Sequence, residues 1–125
     1  MKLSEAILLG SIGSKQGFGL FSGYPNSMNK CAIGAALFAV CGEVSVLPCL
    51  ELVRRWPWTT ERVIGPIILD DKYGLQQSII NYMWMLNDIM RWTRPQIAAW
   101  IAEQELIYDP QSIEQIEQET PTLVA

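Results

Sequence analysis

Asn87-Asp88-Ile89-Met90-Arg91-Trp92-Thr93-Arg94-Pro95-Gln96-Ile97 is the stretch whose reading decides the fold. It reads as the end of one helix, a tight corner and the start of another. Thr93 is placed to cap the second helix with its hydroxyl, and Gln96, three residues on, to reach back to the Thr93 amide. Trp92 before the cap and Ile97 after the first turn have the spacing of a hydrophobic staple. Pro95 falls in the first turn, where its missing N–H costs nothing. Four local signals agree on one helix start, and they specify architecture rather than chemistry.

Upstream, Asp70 or Asp71 opens a long helix over about 72–91. Its apolar positions Leu75, Ile79, Tyr82, Met83, Leu86, Ile89 and Met90 recur at three- and four-residue spacings, and Ile80 and Trp84 widen the stripe. Downstream, a helix over 94–107 presents Ile97, Trp100, Ile101 and Leu106 for burial, and Asp109-Pro110 ends it. Ser112–Glu119 reads as a short helix anchored only by Ile113 and Ile116, and Thr120–Ala125 as a frayed end.

Toward the N-terminus, Ser4 is positioned to cap a short helix over Glu5–Leu9 that Gly10 ends. A glycine-rich connection follows, from Gly10 through Gly13, Gly17, Gly19 and Gly23 to Tyr24-Pro25-Asn26. Asn29 or Ser27 then starts a helix through Cys41, stopped by Gly42. That helix is apolar all round and built mostly from small residues, so it belongs at the centre of the fold, where neighbours approach closely. A further helix over Pro48–Trp56 offers Leu47, Leu50, Leu52 and Val53 for burial, and Trp56-Pro57 ends it. Thr59 or Thr60 caps a turn over Glu61–Ile64, Gly65-Pro66 breaks it, and Ile67-Ile68-Leu69 is too short to assign; residues 59–70 have no readable structure.

The chain has 125 residues, half of them hydrophobic and 18% charged, which is a globular composition with room for one core. The net charge of −4 conceals an asymmetry. Residues 1–60 hold five Lys/Arg against three Asp/Glu, a balance of +2, whereas residues 61–125 hold four against ten, a balance of −6. From Glu103 onward there are six acids and no base, which favours solubility and repels nucleic acid and anionic lipid. The uncharged run Cys31–Gly42 is twelve residues long, short of the roughly 20 that a span requires. Lys2 and Ala6–Leu9 are interrupted by Glu5 and make no clear export signal, so three unpaired cysteines point to a reducing cytoplasm.

The chemistry-bearing residue types are sparse. With no histidine, Ser-His and Cys-His nucleophiles and histidine metal sites are excluded, and the commonest general base is missing. Cys31, Cys41 and Cys49 lack metal-ligand spacing and read as small hydrophobes. Gly10-Ser-Ile-Gly13-Ser-Lys15 satisfies neither the phosphate-loop nor the dinucleotide pattern. No catalytic, cofactor-binding or metal-binding residue is assigned, and no cofactor is expected.

Two surfaces remain. Arg54, Arg55, Trp56 and Trp58 combine the residue types enriched in binding hot spots, with the alternative that the indoles cover the core edge while the arginines are solvated. Arg91 and Arg94 flank a corner with the outline of a helix-turn-helix, which makes a nucleic-acid-binding regulator the second reading. Against it, the following segment Ser112–Glu119 carries Glu114, Glu117 and Glu119 and no base, the wrong sign for a phosphate-lined groove.

Leu3-Ser4-Glu5-Ala6-Ile7, Cys31-Ala-Ile-Gly-Ala-Ala36, Leu86-Asn87-Asp88, Trp92-Thr93-Arg94 and Gln96-Ile97-Ala98 with Trp100 resemble the pattern of a group of small bacterial and phage proteins. The blocks are short and spread over residues 3–101. The resemblance implies a compact cytoplasmic protein with nothing catalytic. Members of that group often carry a polar residue or histidine where this chain has Ile89-Met90, so no titratable role transfers to those positions.

These readings converge on an all-α protein: a bundle of five or six short helices over residues 1–110, with an acidic, partly helical or frayed tail over 111–125. The expected function is non-catalytic, an accessory, adaptor or inhibitor acting through a protein partner or a homo-oligomer, away from membranes. Nucleic-acid binding stands second and an enzyme of unknown type a distant third.

Overall fold

The capping signals at Thr93 act as the sequence predicts. The Thr93 hydroxyl accepts the Gln96 N–H at 3.2 Å and the Gln96 side-chain oxygen accepts the Thr93 N–H at 2.9 Å, which closes a capping box. The computed structural model describes residues 1–18, 29–42, 47–67 and 76–113 of the chain. Within them it is mostly helical: α1 (Leu3–Ser11), α2 (Ala32–Cys41), α3 (Pro48–Arg55), α4 (Ile79–Asp88) and α5 (Arg94–Tyr108), with a 3₁₀ turn at Pro57–Thr60 and helical residues again at 110–113. Two short ladders were not foreseen. β1 (Lys15–Gln16) pairs in parallel with β2 (Asn29–Lys30), and β3 (Arg62–Val63) pairs antiparallel with β4 (Gln77–Ser78).

The ladders explain where several helix boundaries differ from expectation. The helix expected over 72–91 starts, among the described residues, only at Ile79. Gln77 and Ser78 are extended and paired with Arg62 and Val63, and the Ser78 hydroxyl caps α4 by accepting the Asn81 N–H at 3.2 Å. At its other end α4 stops at Asp88 rather than 91. The Met90 and Trp92 N–H groups bond back to Met85 and Leu86 in a widened turn, and Arg91 takes a positive φ of 54°, a left-handed conformation unfavourable for a side chain with a Cβ. Likewise α2 begins at Ala32, not at Asn29 or Ser27, because Asn29 and Lys30 belong to the β1–β2 ladder. Its cap is the Cys31 sulfur, which accepts the Gly34 N–H at 3.3 Å. Gly42 ends it as expected, in the left-handed conformation at φ 74°.

α1 corrects two expectations. It runs past Gly10 to Ser11, and its N-cap residue is Lys2, whose side chain makes no capping bond. Gly10 is there for contact: a Cβ at that position would overlap the Ala35 carbonyl of α2, so its absence lets the two helices touch backbone to backbone. α1 and α2 form the central pair, with α5 packed against α1 and α4 against α2 and α5. Leu3, Ile7, Leu37, Met83, Leu86 and Ile97 are fully buried where these elements meet. Each contributes about 1.5–3 kcal/mol relative to exposure. α3 buries Leu52 and Pro48, while Leu47 and Leu50 stand exposed and Val53 is half-buried; Leu106 of α5 is exposed as well. The turn expected over Glu61–Ile64 does not form: Thr59 and Thr60 end the 3₁₀ turn, and Arg62–Val63 are extended as β3 because they pair with Gln77–Ser78. The Gly19–Ser27 part of the glycine-rich connection, Ile68–Leu69, the Asp70/Asp71 helix start and residues 114–125 lie outside the described residues.

Candidate interaction site

Among the described residues, two polar clusters and one groove compete as the working part of the molecule. The first cluster is built around Asn87, which is 2% exposed near the end of α4. Its side-chain oxygen accepts the Gln16 amide at 2.9 Å and the Ala32 N–H at 3.1 Å, and its nitrogen donates to the Gly17 carbonyl at 2.9 Å and the Asp88 carboxylate at 2.8 Å. All four hydrogen bonds that a carboxamide makes are in place. Gln16 also donates to the Trp92 carbonyl at 2.7 Å, so β1, α2, α4 and the corner before α5 are tied at one point. A buried amide with no spare valence holds structure and offers nothing to a ligand.

Arg94 extends this knot. Its guanidinium donates to the Ser14 hydroxyl at 2.9 Å, the Ser14 carbonyl at 2.5 Å, the Lys30 carbonyl at 3.3 Å and the Ser11 carbonyl at 3.5 Å. Burial lowers its pKa, and these oxygens offset the loss of water around the charge. Arg94 is therefore spent inside the fold, and Arg91 is exposed with its guanidinium 4.4 Å from the centre of the Phe18 ring. The two arginines of the groove-binding reading do not share a surface. Most of that reading's second helix, from Glu114 on, lies outside the described residues.

The second cluster joins the two ends of the described chain. Glu105 on α5 is buried, and its carboxylate accepts the Ser4 N–H at 2.6 Å and the Ser4 hydroxyl at 2.8 Å. Burial is the main influence on Glu105 and raises its pKa, the Ser4 bonds lower it, and Asp109 raises it again. The Ser4 hydroxyl is buried with it, so the pair acts as a remote cap on α1 rather than as an accessible nucleophile and base. Cys31 is enclosed too, and burial pushes its thiol pKa up, away from thiolate chemistry. Among the described residues no three His, Cys, Asp or Glu side chains converge to hold a metal ion, and no helix is long and apolar enough to cross a membrane.

The Arg54, Arg55, Trp56 and Trp58 surface does not form as a unit. Trp56 and Trp58 are 6% and 7% exposed, and the Trp56 indole N–H donates to the Met1 carbonyl at 3.1 Å. The 3₁₀ turn after Pro57 swings Trp58 back, so both indoles pack against the core, the alternative in which they cover its edge. Arg54 and Arg55 are left on the surface, paired with Glu51 of their own helix at 3.6 and 3.2 Å.

The open feature lies on α5. A groove of about 360 Å³ is lined, among the described residues, by Pro66, Trp92, Gln96, Ala99, Trp100 and Glu103. Gln96, Ala99, Trp100 and Glu103 follow one another at helical spacing along one side of α5, and Trp92 closes the end at the corner. Trp100 is fixed from behind by an edge-on contact with Tyr82, ring centres 5.7 Å apart. Both indoles are legible in the sequence as packing groups, and they do pack. What the sequence concealed is that the side chains beside them, Ala99 and Glu103, stay exposed and turn the packing edge into a groove.

Comparison with protein-family models, with curated proteins and with solved structures finds no match. The functional reading therefore rests on the geometry of the chain itself.

Proposed function

We propose that this protein is a non-catalytic interaction module of the accessory, adaptor or inhibitor type, and that the Trp92–Trp100 groove is where a partner protein docks. The observation that carries the reading is the groove: two indoles, a proline and the small side chain of Ala99 line an open face. Aromatic walls beside a small residue suit an inserted side chain, and tryptophan is among the residues that dominate interface energies. The polar clusters support the reading by their closure, because their hydrogen-bonding groups are already committed within the fold. Cytoplasmic residence belongs to the same proposal and follows from three free cysteines and the acidic composition.

Ala99→Arg tests it, since Ala99 is exposed and arginine is a good helix former, so the fold is retained while the groove is filled. The expected result is a protein recovered from the source-cell lysate by the wild-type chain and lost with Ala99→Arg, at equal melting temperatures. Equal recovery by both would move the interface elsewhere on the surface. A monomeric chain that recovers nothing would end the reading.

A further inference from the structure

The chemistry of the groove narrows its occupant. Among the described residues that line it only Glu103 is charged, and it follows Trp100 by one turn on the exposed side of α5. The ion pairs among the described residues are those of Glu51 with Arg54 and Arg55, so Glu103 has no basic partner there. An unpaired carboxylate next to aromatic walls attracts a cation that also carries flat or apolar surface. Arginine fits this description best: its guanidinium stacks on aromatic faces, is less strongly hydrated than an ammonium, and presents parallel N–H groups to a carboxylate. Lysine would answer the charge but not the stacking surface.

Resting on the docking reading above, we infer that the groove receives an arginine side chain of the partner protein, stacked against Trp92 and Trp100 and paired with Glu103. The acidic balance of residues 61–125 strengthens the approach of such a basic segment and makes it sensitive to salt.

The probes are three capped tripeptides, acetyl-Leu-Arg-Leu-amide, the same peptide with citrulline in place of arginine, and acetyl-Leu-Glu-Leu-amide. Binding is read from the indole N–H resonances of the intact protein, with Trp92→Phe and Trp100→Phe assigning the two that matter. The expected outcome is saturable movement of those two resonances with the arginine peptide, with citrulline, equal in shape but uncharged, binding about tenfold more weakly. Glu103→Lys is exposed and leaves the fold intact, and it should reverse the preference toward the glutamate peptide. Equal binding of the arginine and citrulline peptides would overturn the inference while leaving a docking groove for apolar side chains in place. No movement with any peptide would overturn it as well, and the Ala99→Arg comparison then decides separately whether the groove docks anything. A wild-type dimer dissolved by Glu103→Lys would put a second copy of this chain in the groove and overturn the assignment to a partner.

Discussion

The starts of α5 and α1 solve the same problem by opposite means. Each helix begins with backbone N–H groups that have no partner within the helix. At α5 the partner comes from three residues away, Thr93 and Gln96 exchanging bonds in a closed box. At α1 it comes from 101 residues away, where the carboxylate of Glu105 accepts both the N–H and the hydroxyl of Ser4. The first arrangement is local, exposed and independent of the rest of the fold. The second is buried and exists only when α1 lies against α5. A local cap defines where a helix starts, whereas a remote cap also fixes which helices are neighbours.

Breaking the internal knot between these two helix starts should have the largest effect. Asn87→Ala strands the Ala32 N–H, the Gly17 carbonyl and the Gln16 amide near the corner from which α5 departs, and should cost about 4 kcal/mol in chemical denaturation. A loss below about 1 kcal/mol would mean that the knot relaxes without it. Glu105→Ala removes the remote cap and leaves the buried Ser4 donors unpaired, so about 3 kcal/mol should be lost, with amide exchange at the start of α1 accelerated more than at the start of α5. Uniform acceleration would deny that Glu105 acts on α1 in particular. Thr93→Ala opens only the local box and should cost about 1 kcal/mol, leaving exchange in α1 unchanged.

The smallest effect is a slope. Because burial raises the pKa of Glu105 in the folded protein, the folded state binds its proton more tightly than the unfolded chain. Its stabilising contribution is therefore fully present below the ordinary glutamate range and is lost as pH rises through the raised value. Glu105→Gln keeps an uncharged acceptor for the Ser4 N–H and cannot titrate. The stability difference between wild type and Glu105→Gln should shift in favour of the variant as pH rises through that window. An unchanging difference across it would show that Glu105 does not titrate differently on folding.

The same contrast explains what could be read in the chain. The capping box at Thr93, the left-handed glycine at the end of α2 and the apolar stripe of α4 from Ile79 to Leu86 are legible, because each depends on residues within one or two turns of each other. Ile89 and Met90, read as part of that stripe, lie past the end of α4 and are exposed. Ser4 was misread as a cap because the residue type and position were right, and nothing near it in sequence announces Glu105. For Trp56 and Trp58 the sequence left two outcomes open, an exposed hot-spot surface or indoles covering the core edge beside solvated arginines, and the 3₁₀ turn after Pro57 brings both indoles inside. The groove was half legible, since the indoles were evident while their exposed neighbours Ala99 and Glu103 gave no signal as single residues.

By itself, then, the sequence determined the mostly helical composition of this protein, the corner at Trp92–Thr93 and the absence of histidine chemistry, because these follow from local hydrogen bonding, side-chain periodicity and residue type. The tertiary structure alone decided that Arg94 and Asn87 are consumed in an internal knot, that Glu105 caps a helix at the other end of the chain, and that one side of α5 remains open beside two tryptophans. Those outcomes depend on which surfaces meet when residues far apart in sequence are packed together, and that information is held in no short stretch of the chain.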